Sequence, residues 1–380
     1  MRRSHTPVLV AVAALVLTGL ALLGAGGCGE KIAIPQPEGV FGLREYTVYL
    51  TTTVDDPRKV LQVQGNLYLL AGDALHKRDI YLEEQAMVAG LADPTALCQE
   101  PDSNRIMVWE QGTHTVRTFT RDLQPLGAVA LPEVGRVTSM AVSPLGAEAD
   151  PDAVTFLYLA DPDAAIVHRY AVDAYGGLLP FGKLAANRGN GVRDVKKPIG
   201  LARDAADHVL VCDADSLRHW IIRFDPTPDE ADADLRGTPA LFLPFPRCAP
   251  VPAADEYVLG NAPGCGQEDW VPGASDSLGA FDTPSTVVVA GAGRIYVADT
   301  GNDRIQAFSA YGEYDLSFGS SQDAPGPTSI SVYDFKYGPG ATDYYYGALV
   351  FAVLPDGGRV RSYISTEYSD FLNRQPRPPE

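Results

Sequence analysis

Short apolar runs separated by polar turns recur along the chain, and the clearest example lies at 283–319. It contains four apolar runs, at 286–290, 295–298, 305–308 and 314–318. A Gly-Ala-Gly turn separates the first two runs, and the polar segment 299–304 separates the second from the third. Short β-branched and aromatic runs bounded by Gly, Asn and Asp predict a four-stranded antiparallel meander.

Six copies of this pattern follow one another, at about 57–90, 94–130, 136–182, 198–226, 283–320 and 327–365. A proline precedes the first predicted strand in most copies, where a missing N–H costs little. The segment 43–53 alternates polar and apolar residues and predicts one more strand. Because it precedes the first copy, we expect it to supply the outer strand of the last copy.

The segment VADTGNDRIQAF, preceded by Pro284, resembles the NHL repeat, which is the blade unit of one class of β-propeller. The resemblance implies an all-β, six-bladed propeller of NHL type, a closed ring that leaves no exposed sheet edges. The long segment 227–282 is interpreted as an insertion between the fourth and fifth copies. Seven blades are the alternative if this segment contains a degenerate copy.

The polar turn of the repeat contains Asp299, Asn302 and Arg304, and Asp213 and Asp161 stand at the position of Asp299 in two other copies. Side chains of Asp and Asn can hydrogen-bond the backbone of a tight turn, and Arg304 can pair with the Asp299 carboxylate across the hairpin. We interpret these residues as structural rather than catalytic.

The N-terminus has the pattern of a secretory signal, with Arg2 and Arg3 before an apolar run at 8–23 and small residues before Cys28. The run is shorter than the ~20 residues needed to span a bilayer. The segment before Cys28 resembles a bacterial lipobox, which implies a signal peptide at 1–27, a lipid on Cys28 and a tether at 28–42. We therefore expect anchoring in the cell envelope, at the outer membrane or the periplasmic face.

Acidic residues outnumber basic ones, 48 against 30, and the formal net charge of −18 disfavours nucleic acid as a partner. The last segment, 366–380, is polar and Pro-containing and is predicted to be a disordered tail. Two cysteines of the insertion, Cys248 and Cys265, lie close in sequence in an exported chain and are a candidate disulfide.

Propellers of the broad class that this chain resembles include lactonases and lyases whose metals or catalytic residues lie on the central axis. The histidines fall in predicted turns or outer strands, so a three-histidine metal site is not expected. The acids Asp56, Asp93, Asp204 and Asp282 flank predicted inner strands, and a ring of them could hold Ca²⁺ through oxygen ligands. The alternative is ordinary turn chemistry, and no cofactor is expected.

Three functions fit this sequence, and the simplest is a structural envelope component without a small-molecule site. The favoured one is an anchored binding or scaffold propeller whose loop face receives a protein, peptide or glycan. The alternative is an enzyme, such as a metal-assisted lactonase or lyase, that uses the central pocket. Convergent acids or histidines with an open metal position would distinguish the enzyme from the binding protein.

Overall fold

The computed structural model describes residues 46–100, 105–144, 155–187, 194–226, 238–239, 258–260, 274–291, 293–337 and 345–365. Regular structure in these ranges consists of β-strands and one short 3-10 turn at Thr300–Asn302. No helix in this part of the chain is long and apolar enough to cross a membrane.

The strands form six antiparallel sheets, the blades. Blade 1 contains β2 (Pro57–Val63), β3 (Asn66–Ala71), β4 (Ala74–Asp79) and β5 (Glu84–Val88). Blade 2 contains β6 (Pro94–Glu100), β7 (Arg105–Glu110), β8 (Thr115–Phe119) and β9 (Pro125–Ala130). Blade 3 contains β10 (Ser139–Ser143), β11 (Thr155–Asp161), β12 (Ile166–Val172) and β13 (Leu178–Ala186).

The remaining strands form blades 4 to 6. Blade 4 contains β14 (Pro198–Arg203), β15 (Val209–Asp213), β16 (Trp220–Asp225), β17 (Thr238–Pro239) and β18 (Val258–Gly260). Blade 5 contains β19 (Pro284–Val289), β20 (Ile295–Asp299), β21 (Arg304–Phe308) and β22 (Tyr314–Phe318). Blade 6 contains β23 (Ser329–Tyr337), β24 (Tyr345–Leu354), β25 (Arg359–Ser365) and β1 (Tyr46–Thr53).

Ring closure depends on β1, which pairs antiparallel with β25 so that Tyr46 lies opposite Ser365. The first strand of each blade contacts the first strands of its two neighbours, in the closed order β2, β6, β10, β14, β19, β23 and back to β2. Because β14 contacts β19 directly, no seventh blade separates blades 4 and 5. Two short strands of the insertion, β17 and β18, instead pair with β16. The predicted six-bladed propeller is therefore confirmed.

The hydrophobic core is divided into six clusters, and each one fills the gap between two neighbouring blades. Between blades 2 and 3, for example, Trp109 and Met140 belong to one cluster. Both faces of each sheet are thus covered by neighbours, and each large side chain removed from water contributes roughly 1.5–3 kcal/mol. The fold is stabilised between blades rather than at one common centre.

Hydroxyl groups connect the inner strands of neighbouring blades. Ser329 Oγ in blade 6 accepts a hydrogen bond from the Val60 N–H of blade 1 at 3.1 Å. Ser139 Oγ in blade 3 accepts one from the Leu201 N–H of blade 4 at 2.9 Å. The inner edge of each blade has backbone groups without a strand partner, and these hydroxyls satisfy some of them.

The propeller has two faces, which carry different turns and are named here the loop face and the terminal face. The loop face is the one where the inner strands begin, and it carries the turns between the second and third strands of each blade. The terminal face is the opposite one, where Tyr46 and Ser365 lie side by side. Both ends of the described propeller chain therefore leave from the terminal face.

Candidate functional site

The repeat turn of blade 5 is built around the buried carboxylate of Asp299. It accepts hydrogen bonds from Arg304 Nε at 2.7 Å and Asn302 Nδ2 at 2.9 Å. It also accepts the Asp282 N–H at 2.7 Å and Gln306 Nε2 at 2.9 Å. Burial raises the pKa of Asp299, and these donors oppose that rise. The carboxylate thus ties the turn to the connection that leads into its own blade.

Acids at the corresponding position make the same backbone contact in blades 2 to 4. Glu110 accepts the Ala92 N–H at 3.2 Å, and Asp161 accepts the Gly135 N–H at 3.0 Å. Asp213 accepts the N–H groups of Lys196 and Lys197, at 3.0 and 2.7 Å. Burial raises the pKa of Asp213 as well. The shared contact is one that the sequence pattern did not reveal, because its donor lies in the preceding connection.

The four acids that were candidates for a calcium ring do not converge. Asp56, Asp93 and Asp282 precede inner strands and lie on the loop face, whereas Asp204 follows β14 and lies on the terminal face. Arg58 bridges Asp56 and Asp93, and Thr283 Oγ1 donates to Asp282 at 2.8 Å. The prediction of an acidic calcium ring is therefore wrong, because the length of β14 separates Asp204 from the other three acids.

Asp204 belongs to a turn instead. Its carboxylate accepts the N–H groups of Ala206 and His208, at 2.8 and 3.0 Å, and lies 3.1 Å from Arg223 Nε. Burial raises the pKa of Asp204, but His208 and Arg223 outweigh burial and lower it overall. Among the residues that the structure describes, no group of three or more His, Cys, Asp and Glu side chains could hold a metal.

The cysteines divide into described and undescribed ones. Cys28, Cys248 and Cys265 lie outside the described residues, so the lipidation site and the disulfide stay predictions. Cys98 and Cys212 are buried and free. Burial raises the pKa of both thiols, so neither is a reactive thiolate at neutral pH.

A cavity of about 210 Å³ lies at the loop-face end of the inner strands of blades 1 to 3. Its lining consists of Arg58, Lys59, Thr95, Arg136, Val137 and Thr138. Three of these six side chains are cations and none is an acid. In a chain with a net charge of −18, the cavity is a local concentration of positive charge.

Lys59 occupies an inner-strand position that carries small residues in the other five blades. In the strand registers the equivalent residues are Ala96, Ser139, Gly200, Thr286 and Ser329. Lys59 lies within electrostatic range of Cys212, which belongs to blade 4 on the opposite side of the ring. The amine therefore lies in the interior of the ring.

The environment of Lys59 is dense but open to solvent. Protein atoms surround the side chain, and this desolvation lowers the pKa of Lys59 from 10.5 to about 8. The residue nevertheless keeps some accessible surface, because the adjoining cavity admits water. Within the described ranges, no carboxylate pairs with its ammonium group. This lysine was missed in the sequence, although the aligned copies show it among Ala, Ser, Gly and Thr.

Comparison with known families and structures supports the repeat and the fold. Residues 281–308 match the family model described as NHL repeat. A search of curated protein sequences found no relative of this chain.

The solved structures that resemble this chain do so at low sequence identity, so the likeness concerns the fold alone. An auxiliary nutrient binding protein from Bacteroides ovatus has 12% identity and a TM-score of 0.51, over 85% of this chain and 74% of the other. Virginiamycin B lyase from Staphylococcus aureus has 10% identity and a TM-score of 0.48, over 84% and 99%. The β-propeller domain of Cps50 (Swd1) from Myceliophteria thermophila has 12% identity and a TM-score of 0.47, over 84% and 99%. With its matching repeat and its closed ring of six sheets, the chain is a six-bladed β-propeller that carries an NHL repeat.

Proposed function

We propose that this chain is a cell-envelope binding protein, anchored by a lipid on Cys28, whose loop face receives a protein, peptide or glycan partner. One observation carries the proposal. The cationic cavity lies on the loop face, whereas both ends of the described propeller chain lie on the terminal face. An anchor attached ahead of Tyr46 holds the terminal face toward the membrane. The cavity then opens away from it.

Exposed tyrosines on the terminal face support this orientation. Tyr81, Tyr175 and Tyr311 stand at the tips of equivalent turns in alternate blades and are 52%, 96% and 44% exposed. Each turn is held by a side-chain oxygen two residues earlier, such as Asp173 Oδ1, which accepts the Tyr175 N–H at 2.8 Å. Tyrosine rings suit the boundary between lipid and water because they combine an apolar body with a polar tip.

Position-specific photo-crosslinking in cells tests the binding role. A benzoylphenylalanine replaces Leu217, which is 60% exposed in a loop-face turn of blade 4, or Tyr175 on the terminal face as the matched control. We expect a discrete crosslinked partner from position 217 and none from position 175. The same partner from both positions, or from position 175 alone, contradicts the proposed orientation.

The anchor requires its own test, since Cys28 lies outside the described residues. Cells expressing the chain are fed an alkyne fatty acid, and Cys28→Ser serves as the matched variant. We expect label and membrane retention in the wild type and the loss of both in the variant, because one thioether-linked anchor supplies the attachment. Unlabelled wild-type protein in the soluble fraction excludes the lipid anchor.

A further inference from the structure

We propose that the cavity at the loop-face end of the inner strands of blades 1 to 3 binds a small oxyanion, a carboxylate or phosphate group, between Lys59, Arg58, Arg136 and the hydroxyl of Thr138. The inference rests on the binding role proposed above and specifies the chemistry of the ligand. It is independent of how the chain is anchored.

The three cations of the cavity differ in how far their charge is already neutralised. Arg58 is committed to Asp56 and Asp93. Arg136 is 61% exposed at its side chain and lies at the limit of pairing, 4.0 Å from Asp163. Lys59 has no acidic partner in the described part of the chain. The available positive charge therefore belongs to Lys59 and Arg136.

An enclosed cation without a counter-ion is unfavourable for folding, because it has lost hydration and gained no partner. Packing does not require a lysine here, since the other five blades use Ala, Ser, Gly or Thr at the same register position. An anion in the adjoining cavity supplies the missing partner. Its binding stabilises the charged amine in surroundings that strengthen electrostatic attraction.

Thr138 provides a second, uncharged donor. Its Oγ1 is buried and has no hydrogen-bond partner within the ranges that the structure describes. Thr138 lines the same cavity as Lys59. A hydroxyl can donate to an oxyanion, and hydrogen bonds to charged groups are stronger than those between neutral groups.

The size of the cavity limits the ligand. About 210 Å³ corresponds to the liquid volume of roughly seven water molecules. This space accepts one acidic group and a few carbon atoms. The group can belong to a free small molecule or to the acidic end of a larger partner, since the cavity opens on the loop face.

Thermal melting of the full chain in a non-ionic detergent, with sodium phosphate or sodium acetate at pH 7, tests the site. Sodium chloride of equal ionic strength is the salt control. We expect a saturable rise of the melting midpoint by about 2–4 °C with at least one of the two anions. Titration calorimetry on the same sample should give one site per chain.

Variants assign the effect to the cavity. Lys59→Met should abolish the rise, Lys59→Arg should preserve part of it, and Thr138→Val should weaken binding about tenfold through one lost hydrogen bond to a charged group. Lys77→Met is the matched control, because Lys77 lies on β4 of blade 1, outside the cavity, and pairs with Asp122 of blade 2. It should leave the anion response unchanged.

Two outcomes overturn the site: neither anion exceeds the chloride control, or Lys59→Met responds like the wild type. The crosslinking experiment separates this failure from a failure of the binding role. Partner capture at position 217 without any anion response removes only the oxyanion site. Competition of phosphate or acetate with that crosslink indicates that the acidic group belongs to the larger partner, whereas binding without competition indicates a free small anion.

Discussion

Blade 5 and blade 1 both enclose a charge near the loop face, but they treat it differently. In blade 5 the Asp299 carboxylate receives four hydrogen bonds, two of them from Asn302 and Arg304. In blade 1 the position of Asp299 is taken by Ala71, and the enclosed charge is the Lys59 ammonium, which lacks an acidic partner among the described residues. The hydrogen-bonded Asp299 carboxylate stabilises the fold, whereas the Lys59 ammonium remains available to bind an anion.

The chain also enters the two blades differently. Blade 5 is preceded by a long connection whose backbone N–H groups need an acceptor, and Asp299 supplies it to Asp282. Blade 1 follows β1 after only a few residues, and Val54 donates its N–H to Gly358 of blade 6. In this ring, a buried charge with hydrogen-bond partners, such as Asp299, marks a structural residue. An enclosed charge without an acidic partner among the described residues, such as Lys59, marks a candidate binding residue.

Removing the hydrogen-bonded Asp299 carboxylate should change the free energy of unfolding more than any other substitution considered. Asp299→Ala leaves the buried Asp282 N–H without its acceptor and removes the carboxylate from Arg304 and Gln306, which keep only backbone carbonyl acceptors. Breaking such a buried arrangement costs about 3 kcal/mol of unfolding free energy. Denaturant unfolding monitored by tryptophan fluorescence measures this loss.

The control for Asp299→Ala is Asp356→Ala in the corresponding turn of blade 6, where Asp356 is exposed. This change should stay within about 0.5 kcal/mol of the wild type. If both substitutions cost the same, the Asp299 carboxylate is not the element that stabilises the turn.

Removing the Lys59 ammonium should raise the free energy of unfolding, whereas removing the Asp299 carboxylate lowers it. Lys59→Met keeps most of the length of the side chain and removes the desolvated ammonium, so we expect a gain of about 1–3 kcal/mol of unfolding free energy at pH 7 in a chloride buffer without phosphate or acetate. The gain should be accompanied by loss of anion binding. Lys77→Met, on β4 of the same blade, should show no gain, because the Lys77 ammonium already pairs with Asp122.

The pH dependence of this gain provides a sharper measurement. The folded-state pKa of Lys59 is lowered from 10.5 to about 8, so the unfolded chain takes up a proton before the folded chain does. Wild-type stability relative to Lys59→Met is therefore highest above pH 10.5 and falls as the pH decreases to about 8. A gain that is constant from pH 7 to 11 contradicts the lowered pKa.

The same contrast explains what the sequence could predict. The repeat around Asp299, the number of blades and the origin of the outer strand of blade 6 all follow from local patterns, because turns and strand periodicity are encoded by neighbouring residues. The partner of Asp299 in the Asp282 backbone does not, since it lies across a connection of variable length. Lys59 follows Pro57 by two residues, as Ala96 follows Pro94, so its signal lies in a comparison across the aligned copies rather than along one stretch of chain.

The smallest expected loss of stability comes from the hydrogen bond that joins blade 1 to blade 6, since blade 1 has no acid at the position of Asp299. Ser329 Oγ of blade 6 accepts the Val60 N–H, and Ser329→Ala leaves that buried amide unsatisfied at a cost of about 1 kcal/mol. Hydrogen exchange at Val60 should accelerate, while exchange in β20 of blade 5 should not change. Ser277→Ala, an exposed position on the connection before blade 5, is the matched control and should alter neither. Unchanged exchange at Val60 in Ser329→Ala means that the hydroxyl does not hold blade 1, and that packing between blades 6 and 1 suffices.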